Sequence, residues 1–269
     1  MDSLHPTRVV RLRDSAFPVP PVRREVLTAT PELAEGRPPV LFVPGFGHGA
    51  WIYVEHWLDH TAERGFPAYA MSLRGHGESG SAPKTGLRAY VHDVVQVAAS
   101  LPRQAVLVGH GAGALVVAQA LARYPARAGV LVAPVLGGVR MAAAVAARNP
   151  LATVPALFGG PLRPARGQLF SRELPDALAR GYTHRLGRAS RLAQWQLLFA
   201  RAPEEPVGRP PVLVVGSPDD RLVPQGALAR AASWYGGVPL LFPGMGHDLM
   251  LDARWVEPIN AILDWLEKD

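Results

Sequence analysis

Short apolar runs alternating with helical patterns constrain this chain more than any other feature of its sequence. Val40-Leu-Phe-Val43, Ala68-Tyr-Ala-Met71, Ala105-Val-Leu-Val108, Val130-Leu-Val-Ala133, Val212-Leu-Val-Val215 and Val238-Pro-Leu-Leu-Phe242 read as strands. Most are apolar on both faces, which suits a parallel sheet covered by helices on each side. Helical patterns lie between them, at roughly 50–64, 87–101, 112–124, 225–235 and 254–267. The last brings Trp255, Ile259, Ile262, Leu263 and Leu266 near one face. Such alternation predicts an open α/β sheet. Two N-terminal pieces, 8–13 and 22–29, read as a weaker pair of edge strands.

The alternation breaks once. Between Ala133 and Val212 no strand pattern appears, only Ala-, Arg- and Leu-rich helical sequence punctuated by Pro150, Pro155, Pro161, Pro164 and Pro175. That is too long for an ordinary crossover and predicts an inserted helical subdomain. The expected division is a core of residues 1–135 and 211–269 with an insertion at 136–210.

Charge follows the same division. The 269 residues carry 28 basic and 22 acidic side chains, a net +6, and 26 of the basic residues are Arg. Residues 136–210 hold 11 Arg against Glu173, Asp176, Glu204 and Glu205, or +7; the other 194 residues hold 17 basic and 18 acidic groups, or −1. The excess belongs to one segment, and with no basic stripe or nucleic-acid motif the chain is not expected to bind nucleic acid. It would favour an anionic or carrier-bound small molecule approaching the insertion. The chain has no Cys, which excludes disulfides, thiolate metal sites and a cysteine nucleophile. The start lacks the pattern of a signal peptide, and no apolar run approaches the length of a membrane span. A cytoplasmic protein away from membranes, monomeric or homodimeric, is the expectation.

The strongest local motif is Val106-Leu-Val-Gly109-His110-Gly111-Ala112-Gly113, followed by an apolar helical pattern. Strand, Gly-x-x-x-Gly, helix is the context of a nucleophile elbow, a turn so sharp that only small neighbours fit around its central residue. It also suits a plain glycine-rich strand-to-helix turn or a phosphate loop, although Ala114 stands where a dinucleotide fingerprint would need glycine. Four other strands end in motifs of their own. Pro44-Gly-Phe46-Gly-His48-Gly-Ala-Trp51 follows the first central run, and Ser72-Leu-Arg74-Gly-His76-Gly the next. Ser217-Pro-Asp219-Asp220-Arg-Leu-Val-Pro224 and Gly244-Met-Gly-His247-Asp248 follow the last two.

Together these segments resemble the α/β-hydrolase superfamily from about residue 38 to the C-terminus, in its order of elbow, acid and histidine. The resemblance implies a mostly parallel central sheet flanked by helices, with residues 136–210 as a helical cap and no metal or organic cofactor. It implies Asp220 as the acid, with Asp219 the fallback, and His247 as the base. The backbone N–H groups of Phe46 and Ala112 correspond to the oxyanion-hole donors. Arg74 and His76 match a signature whose task is mostly structural. His48, Trp51 and His110 are candidate pocket residues, though Trp51 at a helix start also reads as core and His110 as a packed histidine. Tyr182, His184, Arg185 and Trp195 are weaker candidates from the cap.

One position departs from the family pattern. Gly111 occupies the place of the nucleophile, usually Ser, and has no side chain with which to attack. Glycine tolerates the strained backbone of an elbow, so the fold should not suffer. Three readings follow: an enzyme of lyase, cyclase or isomerase type in which His247–Asp220 is a general base without covalent catalysis; an ester or lactone hydrolase inactivated by Ser-to-Gly substitution; and a non-catalytic ligand-binding protein that kept the fold.

Overall fold

A computed structural model describes residues 18–32, 36–82, 84–138, 143, 146–147 and 164–268. Seven strands form one sheet: β1 (Val26–Ala29), β2 (Val40–Val43), β3 (Ala68–Met71), β4 (Val106–His110), β5 (Ala128–Val132), β6 (Val212–Gly216) and β7 (Leu240–Leu241). Their spatial order is β1-β3-β2-β4-β5-β6-β7. Only β1 runs antiparallel, pairing with β3; every other pairing is parallel. Parallel neighbours need crossovers, which the helices α1 (Trp51–Val54), α2 (Trp57–Glu63), α3 (Leu87–Ser100), α4 (Ala112–Leu121) and α8 (Gln225–Ser233) help supply. Helices α5 (Arg166–Leu169), α6 (Asp176–His184) and α7 (Arg191–Leu198) lie between β5 and β6, and α9 (Val256–Leu266) closes the chain.

Apolar residues on both faces of the strands bury both faces of the sheet. Val40 and Phe42 face one core cluster, with Trp57 and Ile259, while Leu41 and Val43 face the other, with Val94 and Leu115. Each fully buried side chain of this size stabilises the fold by about 1.5–3 kcal/mol.

The expected elements differ from the structure in three places. The single helix expected at 50–64 is two, separated at Glu55 and His56, where His56 adopts φ −149° and ψ −54°. The break serves packing, since Tyr53 and Trp57 both reach Phe42, with ring centroids at 4.8 and 6.1 Å. The last strand shortens to two residues: Pro239 cannot donate to a ladder, and Val238 is left 84% exposed. The edge pair contributes β1 at 26–29, while residues 8–13 lie outside the described residues, as does most of the span from 139 to 163 with Pro150, Pro155 and Pro161. Among the described residues no strand lies between β5 and β6, and no helix is long and apolar enough to cross a membrane.

Candidate functional site

The turn from β4 into α4 brings backbone close to backbone. A Cβ on Gly109 would stand 2.7 Å from the Gly113 carbonyl oxygen, and one on Gly113 would stand 2.3 Å from that of Pro44. Neither position has room for a side chain. Between them Gly111 takes φ +54° and ψ −124°, a conformation that L side chains adopt only under strain. This is the backbone geometry expected of a nucleophile elbow.

The elbow faces His247. A Cβ on Gly111 would lie 3.2 Å from His247 Nε2, with Gly45 Cα next at 3.8 Å. On the far side of the imidazole, Nδ1 is 2.7 Å from Asp220 Oδ2. The other carboxylate oxygen of Asp220 accepts the N–H groups of Leu222 and Val223, at 2.7 and 3.0 Å. Asp220, after β6, is thus fixed by its own turn, and the imidazole is fixed by Asp220. Burial disfavours the charged imidazole, yet the neighbouring Asp220 carboxylate, its hydrogen bond and the charge of Asp248 outweigh that, so the His247 pKa ends above its ordinary value. Asp219 is exposed and accepts the Gly244 N–H at 2.7 Å instead. Of the two adjacent aspartates, Asp220 is the one that meets the histidine.

Ala112 is the first residue of α4, so its N–H has no carbonyl four residues back to bind. Among the described residues neither Ala112 nor Phe46 donates a backbone hydrogen bond outside the helices and strands. The Phe46 loop is held to the segment after α6, where the Gly187 N–H donates to the Gly47 carbonyl at 2.7 Å. Beside it, the Arg185 guanidinium lies 4.0 Å over the Trp51 ring and pairs with Glu55. Tyr182 is buried against Trp51 and Phe170, at 6.1 and 6.0 Å. Trp51 is half-buried at this junction and packs against the edge of one core cluster. Of the weaker candidates, the structure brings Tyr182 and Arg185 to the Phe46–Trp51 loop. His184 is exposed, and Trp195 is exposed and packs on Phe199.

Arg74 is buried with Nε and Nη2 on Asp93, at 2.5 and 2.6 Å, and Nη1 on the Pro20 carbonyl. Burial pushes His76 down to about 4. His48 is buried and bonds Asp248 at 3.1 Å. His110 is wholly buried beside His247, with rings 4.8 Å apart; burial and the His247 charge hold it down to about 3, hence neutral. Asp248 and Asp93, to which the sequence reading gives no role, are both fully buried among cations or imidazoles. Asp248 was legible only as the neighbour of His247; the partner of Arg74, on α3, carried no local signal.

Among the described residues, His110, His247 and Asp248 form the one group able to hold a metal, with donor atoms within 4.8 Å of one another. His247 Nδ1 is already engaged by Asp220 and His110 Nε2 by the His247 carbonyl.

The seven-stranded order, the elbow after β4, and the acid and histidine after β6 and β7 together define an α/β-hydrolase fold. A sequence model described as the alpha/beta hydrolase family matches residues 40–259, and the chain belongs to that family. Comparison with curated proteins finds no match. Among solved structures, the chain is similar to a monoacylglycerol lipase from Paleococcus ferrophilus, with 23% identity, a TM-score of 0.69 and coverage of 91% of this chain and 98% of that one. It is also similar to a thermophilic esterase from Thermogutta terrifontis, with 19% identity, a TM-score of 0.66 and coverage of 91% and 93%. A bromoperoxidase from Bacillus anthracis gives 17% identity, a TM-score of 0.66 and coverage of 92% and 95%. At these identities the likeness is one of fold.

Proposed function

We propose that this chain is an α/β-hydrolase-fold enzyme acting on a small organic substrate, with His247 as general base, Asp220 as its orienting acid and no covalent intermediate. The observation that carries the reading is that His247 Nε2 points at the empty side of Gly111 while Nδ1 is fixed 2.7 Å from Asp220. With no nucleophile between base and substrate, Nε2 is placed to take a proton from the substrate or from a water. The N–H groups of Phe46 and Ala112 would receive the enolate or oxyanion that forms. Elimination, cyclisation, C–C cleavage and isomerisation share that first step. In this reading residues 136–210 are the cap, and their arginines favour an anionic or carrier-bound substrate.

The test is proton exchange. Incorporation of solvent deuterium into a panel of small keto acids, followed by NMR, should fall by about 10²–10⁴-fold in His247→Ala. Equal exchange in parent and variant would overturn the base assignment.

One observation favours the hydrolase reading as the alternative. The backbone at 111 is already that of an elbow, and a side chain there would begin 3.2 Å from the base. Gly111→Ser should therefore gain hydrolysis of a simple aryl ester, and lose it again when His247→Ala is added. No gain in a folded variant would mean that the oxyanion donors do not meet an ester.

A further inference from the structure

Two buried histidines and a buried carboxylate beside the site have no part in the His247–Asp220 pair. His48 lies two residues beyond Phe46, and Asp248 directly follows His247. His48 Nε2 is 3.1 Å from Asp248 Oδ2. His110 Nε2 is 3.4 Å from Asp248 Oδ1 and 3.3 Å from the His247 carbonyl oxygen. A carbonyl oxygen only accepts, so His110 carries a proton on Nε2. An ionised Asp248 likewise needs a donor from His48, which places a proton on that Nε2 too. The Nδ1 atoms of both rings are buried without a partner. Both look toward Gly45: a Cβ there would lie 3.3 Å from His110 Nδ1 and 3.5 Å from His48 Nδ1.

An ionised carboxylate with no exposure costs several kcal/mol to desolvate unless its surroundings compensate, and an apolar group would pack there more cheaply. What Asp248 does instead is tie the loop after β2, through His48, to the loop that carries His247, with His110 at the end of β4 lying 3.4 Å from its other oxygen. We propose that Asp248 is a second positioning carboxylate of the site, fixing the Phe46 loop through His48 and acting with its charge on His247 alongside Asp220. The proposal takes from the functional reading only that His247 is the base.

The surrounding charges agree. Burial pushes the Asp248 carboxyl up, but His48, His110 and His247 together hold it well below the usual carboxylate range. Asp248 in turn contributes to the raised His247. The titratable groups around this network are His48, His110, His247, Asp220 and Tyr53, with His76 facing His48.

The experiment is an NMR titration of the histidines in the full chain, without substrate. Asp248→Asn keeps the shape and removes the charge. The His247 midpoint should move down, and the Phe46 amide should shift, in a variant that still melts cooperatively. A purely structural role would leave that midpoint where it is, and an unmoved midpoint overturns the proposal. Should Asp248→Asn fail to fold, His48→Gln keeps a donor to Asp248 but cannot hold the loop as the ring does. Faster hydrogen exchange at Phe46 and Gly47 is then expected, and unchanged exchange overturns the positioning role. Failure of the base reading is a separate result: His247→Ala would leave deuterium exchange intact, while the titration shift persisted.

Discussion

The turn after β4 and the loop after β7 face each other across the site and are built on opposite terms. The turn offers mostly backbone, with glycine at 109, 111 and 113. The loop buries His247 and Asp248 at 4% and 0% exposure, and Asp220 stands beside them at 2%. Folding alone explains the first. It does not explain the second, because buried charges are a cost that the fold must offset with aligned partners. Glycine in the turn records geometry, and the charges in the loop are what the proposed base chemistry would draw on. Within the turn Gly111 is the exception, since its Cβ would meet a hydrogen-bonding nitrogen and not a wall of backbone.

Alanine substitutions break that comparison most sharply. Gly113→Ala drives a Cβ to 2.3 Å from a carbonyl oxygen that cannot move without β2, so we expect a loss of about 3 kcal/mol or more. Gly111→Ala meets no backbone wall; it carries backbone strain, on the order of 1–3 kcal/mol, and a close 3.2 Å contact with the His247 side chain. Urea unfolding of both variants should rank them in that order. Equal losses would mean that position 111 is as sterically closed as its neighbours.

The pH dependence of stability sharpens the same contrast, because the turn's one titratable side chain, His110, behaves oppositely to His247. His110 is held down to about 3 in the folded chain, against about 6.5 when unfolded. The unfolded chain therefore binds more protons between those values. The stability that His110 contributes is complete above pH ~6.5 and is lost as pH falls toward 3. His76, held down to about 4, adds to the same acid-side decline. His247 is raised instead, so its contribution is complete below the unfolded value and is lost as pH rises through the folded one. His110→Gln can keep a donor for the His247 carbonyl and should make the decline below pH ~6.5 shallower, by at most about 1.4 kcal/mol per pH unit. An unchanged slope would show that His110 is not the group that charges on unfolding.

The sequence makes the parallel core legible because β2, β4 and β5 are apolar on both faces and their crossover helices are amphipathic or buried. It also places Gly111, Asp220 and His247 at strand ends, where the fold itself brings them together. What it leaves unread is tertiary. Asp93 reaches Arg74 from the middle of a helix. His48 meets Asp248 across 200 positions of chain, and no spacing rule links them. The split of the helix at His56 is equally hidden, since it serves the packing of Tyr53 and Trp57 on Phe42 and not any local propensity.

The smallest expected effect lies where the chain's charge is exposed. Arg185 stacks over Trp51 and pairs with Glu55, but its side chain remains 46% exposed. An exposed pair contributes about 0–1 kcal/mol and a cation–π contact at such a site about 0.5–1 kcal/mol. Arg185→Ala should therefore cost about 1 kcal/mol. A double-mutant cycle with Glu55→Ala isolates the ionic part, which should shrink as salt rises, because exposed charges are screened over about 10 Å at 0.1 M. The residue left at high salt is the stacking on Trp51. A coupling that survives high salt undiminished would place this pair with the buried charges of the His247 loop, and the line between inner and outer charge would have to be redrawn.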